Sequence, residues 1–214
     1  MNEKLRVLKM LEEGRINADE AERLLHALDR KSIKSRITES LMHLLNFGAW
    51  TGEMELESSS VSLLVSMGDL EIKKGEVPRI VYSGWVRKRG ERIILRFGDA
   101  TLELPPGSSL DLEVSMGDVK GEFDGRLNLL ISMGDCNLSL GRASEVYVEN
   151  SMGDVIFKLP EDAGYEVDVF LSMGEVSSEW ELEEKIHRIR GVIGDGKGKI
   201  EGSVNMGNLE IKRR

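Results

Sequence analysis

Cysteine is almost missing from this 214-residue chain, and the lone Cys136 excludes an internal disulfide framework and any cysteine-based zinc site. Glutamine is absent altogether while Glu, Lys and Arg abound, a bias that fits a thermophilic source. No apolar run approaches the roughly 18 residues of a membrane span, and Met1-Asn2-Glu3 opens no signal peptide, so the expected location is the cytoplasm. Positive charge is in deficit: 29 Lys and Arg face 38 Asp and Glu, a net charge of -9. That balance argues against a sequence-independent grip on nucleic acid. Aromatics are few, and Trp50, Trp85 and Trp180 are scattered, so no stacking platform is expected. What remains, 40% hydrophobic and 31% charged, is a globular composition with ample chain to bury a core.

The first part of the chain reads as helical. Leu5, Val7, Leu8, Met10 and Leu11 recur at helical spacing before Gly14, a residue suited to a helix stop. Asn17 and Glu20 form a capping-box pair ahead of the stripe Ala21, Leu24, Leu25 and Leu28. A third helix is expected from Ser32 to about Asn46, with Ile33, Ile37, Leu41, Leu44 and Leu45 on one side and Arg30, Lys31, Lys34 and Arg36 at its start. Its expected role is to cap the repetitive segment behind it, with a partner or anionic membrane surface as the alternative. The expected division is a hairpin over 1–30, a capping helix over 31–51 and a β body over 52–214.

From Gly52 onward the period changes to two, and one tetrapeptide recurs. Ser-Met-Gly-Asp stands at 66–69, 115–118, 132–135 and 151–154, with variants at 172–175 and 205–208 and a looser one at 96–99. Its glycines, Gly68, Gly98, Gly117, Gly134, Gly153, Gly174 and Gly207, are separated by 30, 19, 17, 19, 21 and 33 residues. Apolar residues alternate before each methionine, as in Leu110, Leu112, Val114 and Met116, and an aliphatic residue or cysteine follows three positions later. One repeat is thus two strands and two corners, the size of one solenoid coil. The predicted fold is mainly β: a β-solenoid of two-strand coils repeating about every 17–21 residues, behind a small helical head. The alternation predicts an interior ladder of Met67, Phe97, Met116, Met133, Met152, Met173 and Met206, with the glycines at the turns. The last strand, ending at Arg214, is expected to lie at an open end of the stack.

Two resemblances accompany this reading. The segment Glu12–Glu22 resembles the SHOCT-like helical hairpin, which implies partner binding or oligomerisation. The recurring Ser-x-Gly-Asp-aliphatic unit, with Gly194-Asp195-Gly196-Lys197-Gly198 and Ser203–Ile211, resembles the adhesin-like solenoid family DUF4097 over residues 52 to 214. The two together are similar to Lia-type envelope-stress proteins. The resemblance implies no enzymatic activity and no catalytic residues.

The corner carboxylates Asp69, Asp99, Asp118, Asp135, Asp154 and Glu175 form a second row. Aspartate favours turns, and that is the expected reading. Calcium at Asp118, Asp135 and Asp154 is the alternative, weakened by the lack of a full calcium-binding nonapeptide. His26, His43 and His187 lie in separate segments without metal-ligand spacing, and no cofactor is implied. Gly194–Gly198 reads as a tight turn, not a phosphate loop. Residues 1–50 hold 9 basic and 8 acidic side chains, which leaves 20 basic and 30 acidic for the rest, a body of charge -10. Such a body is poised to bind basic partners or avoid anionic ones. The expected function is a non-enzymatic scaffold that forms a homo-oligomer through its helical head, with an exported adhesin-like module as the alternative and a polysaccharide-cleaving enzyme third.

Overall fold

The computed structural model describes residues 51–214. The expected helices over residues 3–46, His26, His43 and Trp50 lie outside the described residues.

Each repeat folds into two short strands joined by a corner. The coils are β2 (Ser60–Val65) with β3 (Leu70–Lys74), β6 (Ser108–Val114) with β7 (Val119–Phe123), and β8 (Gly125–Ile131) with β9 (Cys136–Leu140). They continue as β10 (Glu145–Met152) with β11 (Val155–Leu159), β12 (Tyr165–Met173) with β13 (Val176–Ser178), and β16 (Gly198–Met206) with β17 (Leu209–Arg213). The long β5 (Arg92–Leu104) serves both sides of a further coil. All coils stack through parallel pairing. One side runs β5-β2-β6-β8-β10-β16-β12. The other runs β5-β3-β7-β9-β11-β17-β13. Within the described residues the fold is the expected β-solenoid.

The order of the stack is not the order of the chain. β5 lies outside β2 and β3, because β4 (Arg79–Arg89) first runs back antiparallel to it. β1 (Thr51–Glu55) completes that end against β4. At the other end β15 (Arg188–Ile193) lies antiparallel on β12, with β14 (Glu183–Lys185) beyond it. The last coil, β16 and β17, inserts between the β10/β11 and β12/β13 coils. The expectation of an open edge at the C-terminal strand is therefore overturned: β17 is hydrogen-bonded on both sides. The two long glycine intervals hold the antiparallel insertions that make these reversals possible.

The inward positions close over a single aliphatic core that includes Leu63, Leu112, Leu129, Val148, Val169 and Val204. Cys136 is fully buried within it, and that burial pushes its thiol far above the usual cysteine range, which leaves it an inert core side chain. Tyr165 is the largest fully buried side chain among the described residues. Its hydroxyl donates to the carbonyl of Gly141 and accepts from the Ser144 amide at 3.1 Å. Burial raises its phenol above the usual tyrosine value. Asn150 takes an inward place that Ile131 and Val204 occupy in the neighbouring coils. Its amide donates to the carbonyls of Gly153 at 3.0 Å and Gly134 at 3.3 Å, and its oxygen accepts from the Met152 amide, so the buried polar group is satisfied.

Candidate functional site

The corners bring the repeated tetrapeptides into three parallel rows. In stacking order the glycine row is Gly98, Gly68, Gly117, Gly134, Gly153, Gly207 and Gly174. Each amide from Gly98 to Gly207 donates to the carbonyl of the methionine in the next coil, at 2.9 to 3.1 Å. Only glycine fits here: a Cβ on Gly68 would meet the Gly98 carbonyl oxygen at 1.9 Å, and Gly68 has φ of +138°.

The methionines form the expected ladder, in register across coils, with Met152 and Met173 both paired to Met206. The ladder does not face inward. Met206, at 41% exposed, is the most covered, and Met173, at 60%, is the least; Phe97 continues the row at 59%. The period of two holds only while a strand keeps its pleat. β6 and β8 stop at Val114 and Ile131, and in β10, β12 and β16 the alternation fails over the last two residues. The corner then rotates the methionine outward. None of the fully buried hydrophobic side chains among the described residues is a methionine. The ridge methionines are kept off the core and placed on one surface line, while Met54 of β1 is half-buried against the core.

On the far side of the glycines runs the carboxylate row. Asp99, Asp69, Asp118, Asp135, Asp154 and Asn208 each present Oδ1 to the backbone amide of the following rung, at 2.8 to 3.0 Å; Glu175 is the last to donate. Charged acceptors strengthen these bonds and fasten one coil to the next. Asn208 makes the same bond without a charge. None of the row's carboxylates forms an ion pair among the described residues, although ion pairs are common elsewhere on the surface. Those residues also hold no group of three or more His, Cys, Asp and Glu arranged for a metal ion. Asp118, Asp135 and Asp154, the calcium candidates, stand one to a coil as corner acceptors. Near the β1 end, Asp69 and Asp99 enter a cleft of about 610 Å³ with Glu71, Lys120 and Tyr82. Lys73 hydrogen-bonds Glu71 and holds its carboxyl below the usual range.

Other singled-out residues lie outside these three rows. His187 sits on the β14–β15 hairpin, with Nδ1 3.1 Å from the Leu171 carbonyl. Gly194 and Gly196 have φ of 56° and 65° in the tight turn before β16. Trp85 and Trp180 each carry an arginine over the ring, Arg96 at 4.7 Å and Arg213 at 4.6 Å. Asn150 is the residue sequence reasoning passed over, and its signal was an asparagine in an inward, otherwise aliphatic place.

Among the described residues, a seven-coil β-solenoid with one apolar and one acidic line along its corners is the class that fold and surface define. Residues 2–32 match the SHOCT-like domain. No curated protein sequence matches the chain. Among solved structures, a putative cell adhesion protein from Clostridium sporogenes is similar, with a TM-score of 0.52 at 15% identity over 77% of this chain and 100% of that one. A putative adhesin from Bacteroides fragilis aligns with a TM-score of 0.34 at 11% identity, over 75% of this chain and 95% of that one.

Proposed function

We propose that this chain is a non-enzymatic interaction protein, a β-solenoid scaffold whose corner ridge is the contact surface and whose helical head supports assembly. The observation that carries the reading is the exposed methionine row. A monomeric surface seldom lines up large apolar side chains over its whole length, and contiguous exposed apolar patches mark interaction sites. Methionine is the flexible residue that adaptable binding surfaces favour. The SHOCT-like match over residues 2–32 supports the second part, a homo-oligomer formed through residues 3–47, most simply a dimer. The resemblance to DUF4097 and Lia-type proteins supports an envelope-stress setting.

A second reading, an exported adhesin-like module, draws support from the fold shared with the Clostridium sporogenes protein, which is named for cell adhesion. Both readings use the same ridge. A photo-crosslinking residue at Ser132, exposed beside the row, and another at Asn137, exposed on the β9 side, test this in cells. The expected result is a discrete crosslinked species from Ser132 and none from Asn137. Equal labelling from both positions, or from neither, contradicts the ridge as the contact surface. Light scattering on the full chain tests the oligomer, and a monomer at micromolar concentration contradicts it.

A further inference from the structure

The ridge has two chemistries at one spacing. Its apolar side chains, six methionines and Phe97, and its corner acceptors, five aspartates, Glu175 and the neutral Asn208, each take one place per coil, at the interstrand distance of about 4.8 Å. Seven rungs make six intervals, so both lines run for about 29 Å. We infer that this double line is a docking surface for a basic amphipathic helix of a partner protein, laid along the solenoid axis. The inference rests on the interaction reading above and names the partner's chemistry.

Three features of the surface select that occupant. The first is periodicity. A helix lying along the axis advances about 5.4 Å per turn, close to the rung spacing, so successive turns meet successive methionines. An extended strand repeats one face at nearly 7 Å and falls out of step within two rungs. Unbranched thioether side chains absorb the remaining drift. A length of about 29 Å corresponds to about 19 helical residues.

The second feature is charge. The carboxylates beside the methionines have no ion-pair partner among the described residues, whereas Arg126 on β8 and Arg188 on β15 are paired to Glu145 and Asp168. An unneutralised acidic line attracts cations and repels anionic membranes and nucleic acid. A helix with apolar residues on one face and Lys or Arg along one flank covers both lines at once. The third feature is the glycine row between them. It adds no side chain to the middle of the ridge, and a facing helix can approach the backbone there.

The test uses the purified full-length protein and fluorescence anisotropy with three labelled peptides of about 18 residues. One is helical with Leu on one face and Lys on the other. The second has Glu in place of Lys, and the third has Ser in place of Leu. Two triple variants separate the lines: Met116→Ser, Met133→Ser, Met152→Ser, and Asp118→Asn, Asp135→Asn, Asp154→Asn. The asparagine variant keeps the corner acceptor, as Asn208 does naturally. The Leu/Lys peptide is expected to bind the native protein, and each triple variant is expected to weaken it about tenfold or more. A triple Met→Leu variant is expected to retain binding. Equal affinity for the native and both weakened proteins, or no binding by the Leu/Lys peptide, overturns the inference. Methionine-dependent binding of the Leu/Glu peptide overturns the basic partner but leaves the interaction reading intact. The interaction reading falls separately, on the crosslinking at Ser132.

Discussion

Replacing Gly134 with alanine tests the corner geometry in the middle of the stack. The new Cβ would lie 2.0 Å from the Gly117 carbonyl oxygen and 2.7 Å from its carbon, with the backbone at φ of +143°. The oxygen contact is more than about 1 Å short of ordinary van der Waals separation, and both atoms belong to backbone held in a ladder. The coil must separate from its neighbour or change its corner. The backbone conformation alone costs about 1–3 kcal/mol for a residue with a side chain. Separation also weakens the Gly117-to-Met133 bond at 3.0 Å and the Asp135-to-Asp118 bond at 2.9 Å. Each contributes about 1 kcal/mol. The expected loss is about 3–5 kcal/mol, a large share of a typical 5–15 kcal/mol stability. Gly90→Ala is the control: φ there is +63° and nothing lies within 4 Å of the added atom. Its cost is confined to about 1–2 kcal/mol of conformational strain. Urea denaturation followed by circular dichroism compares the two. Losses equal within about 1 kcal/mol refute the carbonyl clash as the reason for glycine at the corners.

The outward methionines predict that Met133→Asp shifts stability by less than about 1 kcal/mol, while Ile131→Asp, two residues earlier and buried, unfolds the body; thermal melts separate them. The Arg188 guanidinium grips Asp168 with two bonds of 2.6 Å and holds its carboxyl below the usual range. That contribution is complete above the unfolded aspartate pKa near 4 and is lost as pH falls through the lowered value. Asp168→Asn is therefore expected to cost up to about 1 kcal/mol at pH 7 and progressively less as the pH falls below about 4, read from melts across that range. Stopping the chain at residue 197 removes the inserted coil, so that β10, β11 and β12 each lose one of two partners and β13 loses the strand it pairs with. The expected result is loss of the cooperative transition and rapid proteolysis, whereas a native-like melt contradicts the inserted position.

The repeat unit was legible because three constraints coincide in it. Alternating aliphatics mark the strands, glycine marks a corner where a Cβ cannot pass, and aspartate marks the acceptor for the next amide. The order of the coils was not legible for a related reason: each carries the same corner, so any one can sit beside any other. Only the long intervals, Gly68 to Gly98 and Gly174 to Gly207, hinted that chain was being spent on reversals. The direction of the methionines was misread because strict parity carries Val114 on to Met116 and Ile131 on to Met133. Parity belongs to a pleated strand and ends where the corner begins. The consequence is functional, since an inward ladder is core and an outward one is a surface available to a partner.

The direct measurement is the solvent access of the methionine methyl groups in solution. With methyl-labelled methionine, isoleucine and leucine, a soluble paramagnetic probe is added and line broadening is followed by NMR. The structure predicts strong broadening at Met67, Met116, Met133, Met152, Met173 and Met206, and little at the buried Ile131, Leu129 and Leu112. Methionine signals as protected as those core methyl groups would place the ladder inside the solenoid and remove the contact surface on which the proposed function rests.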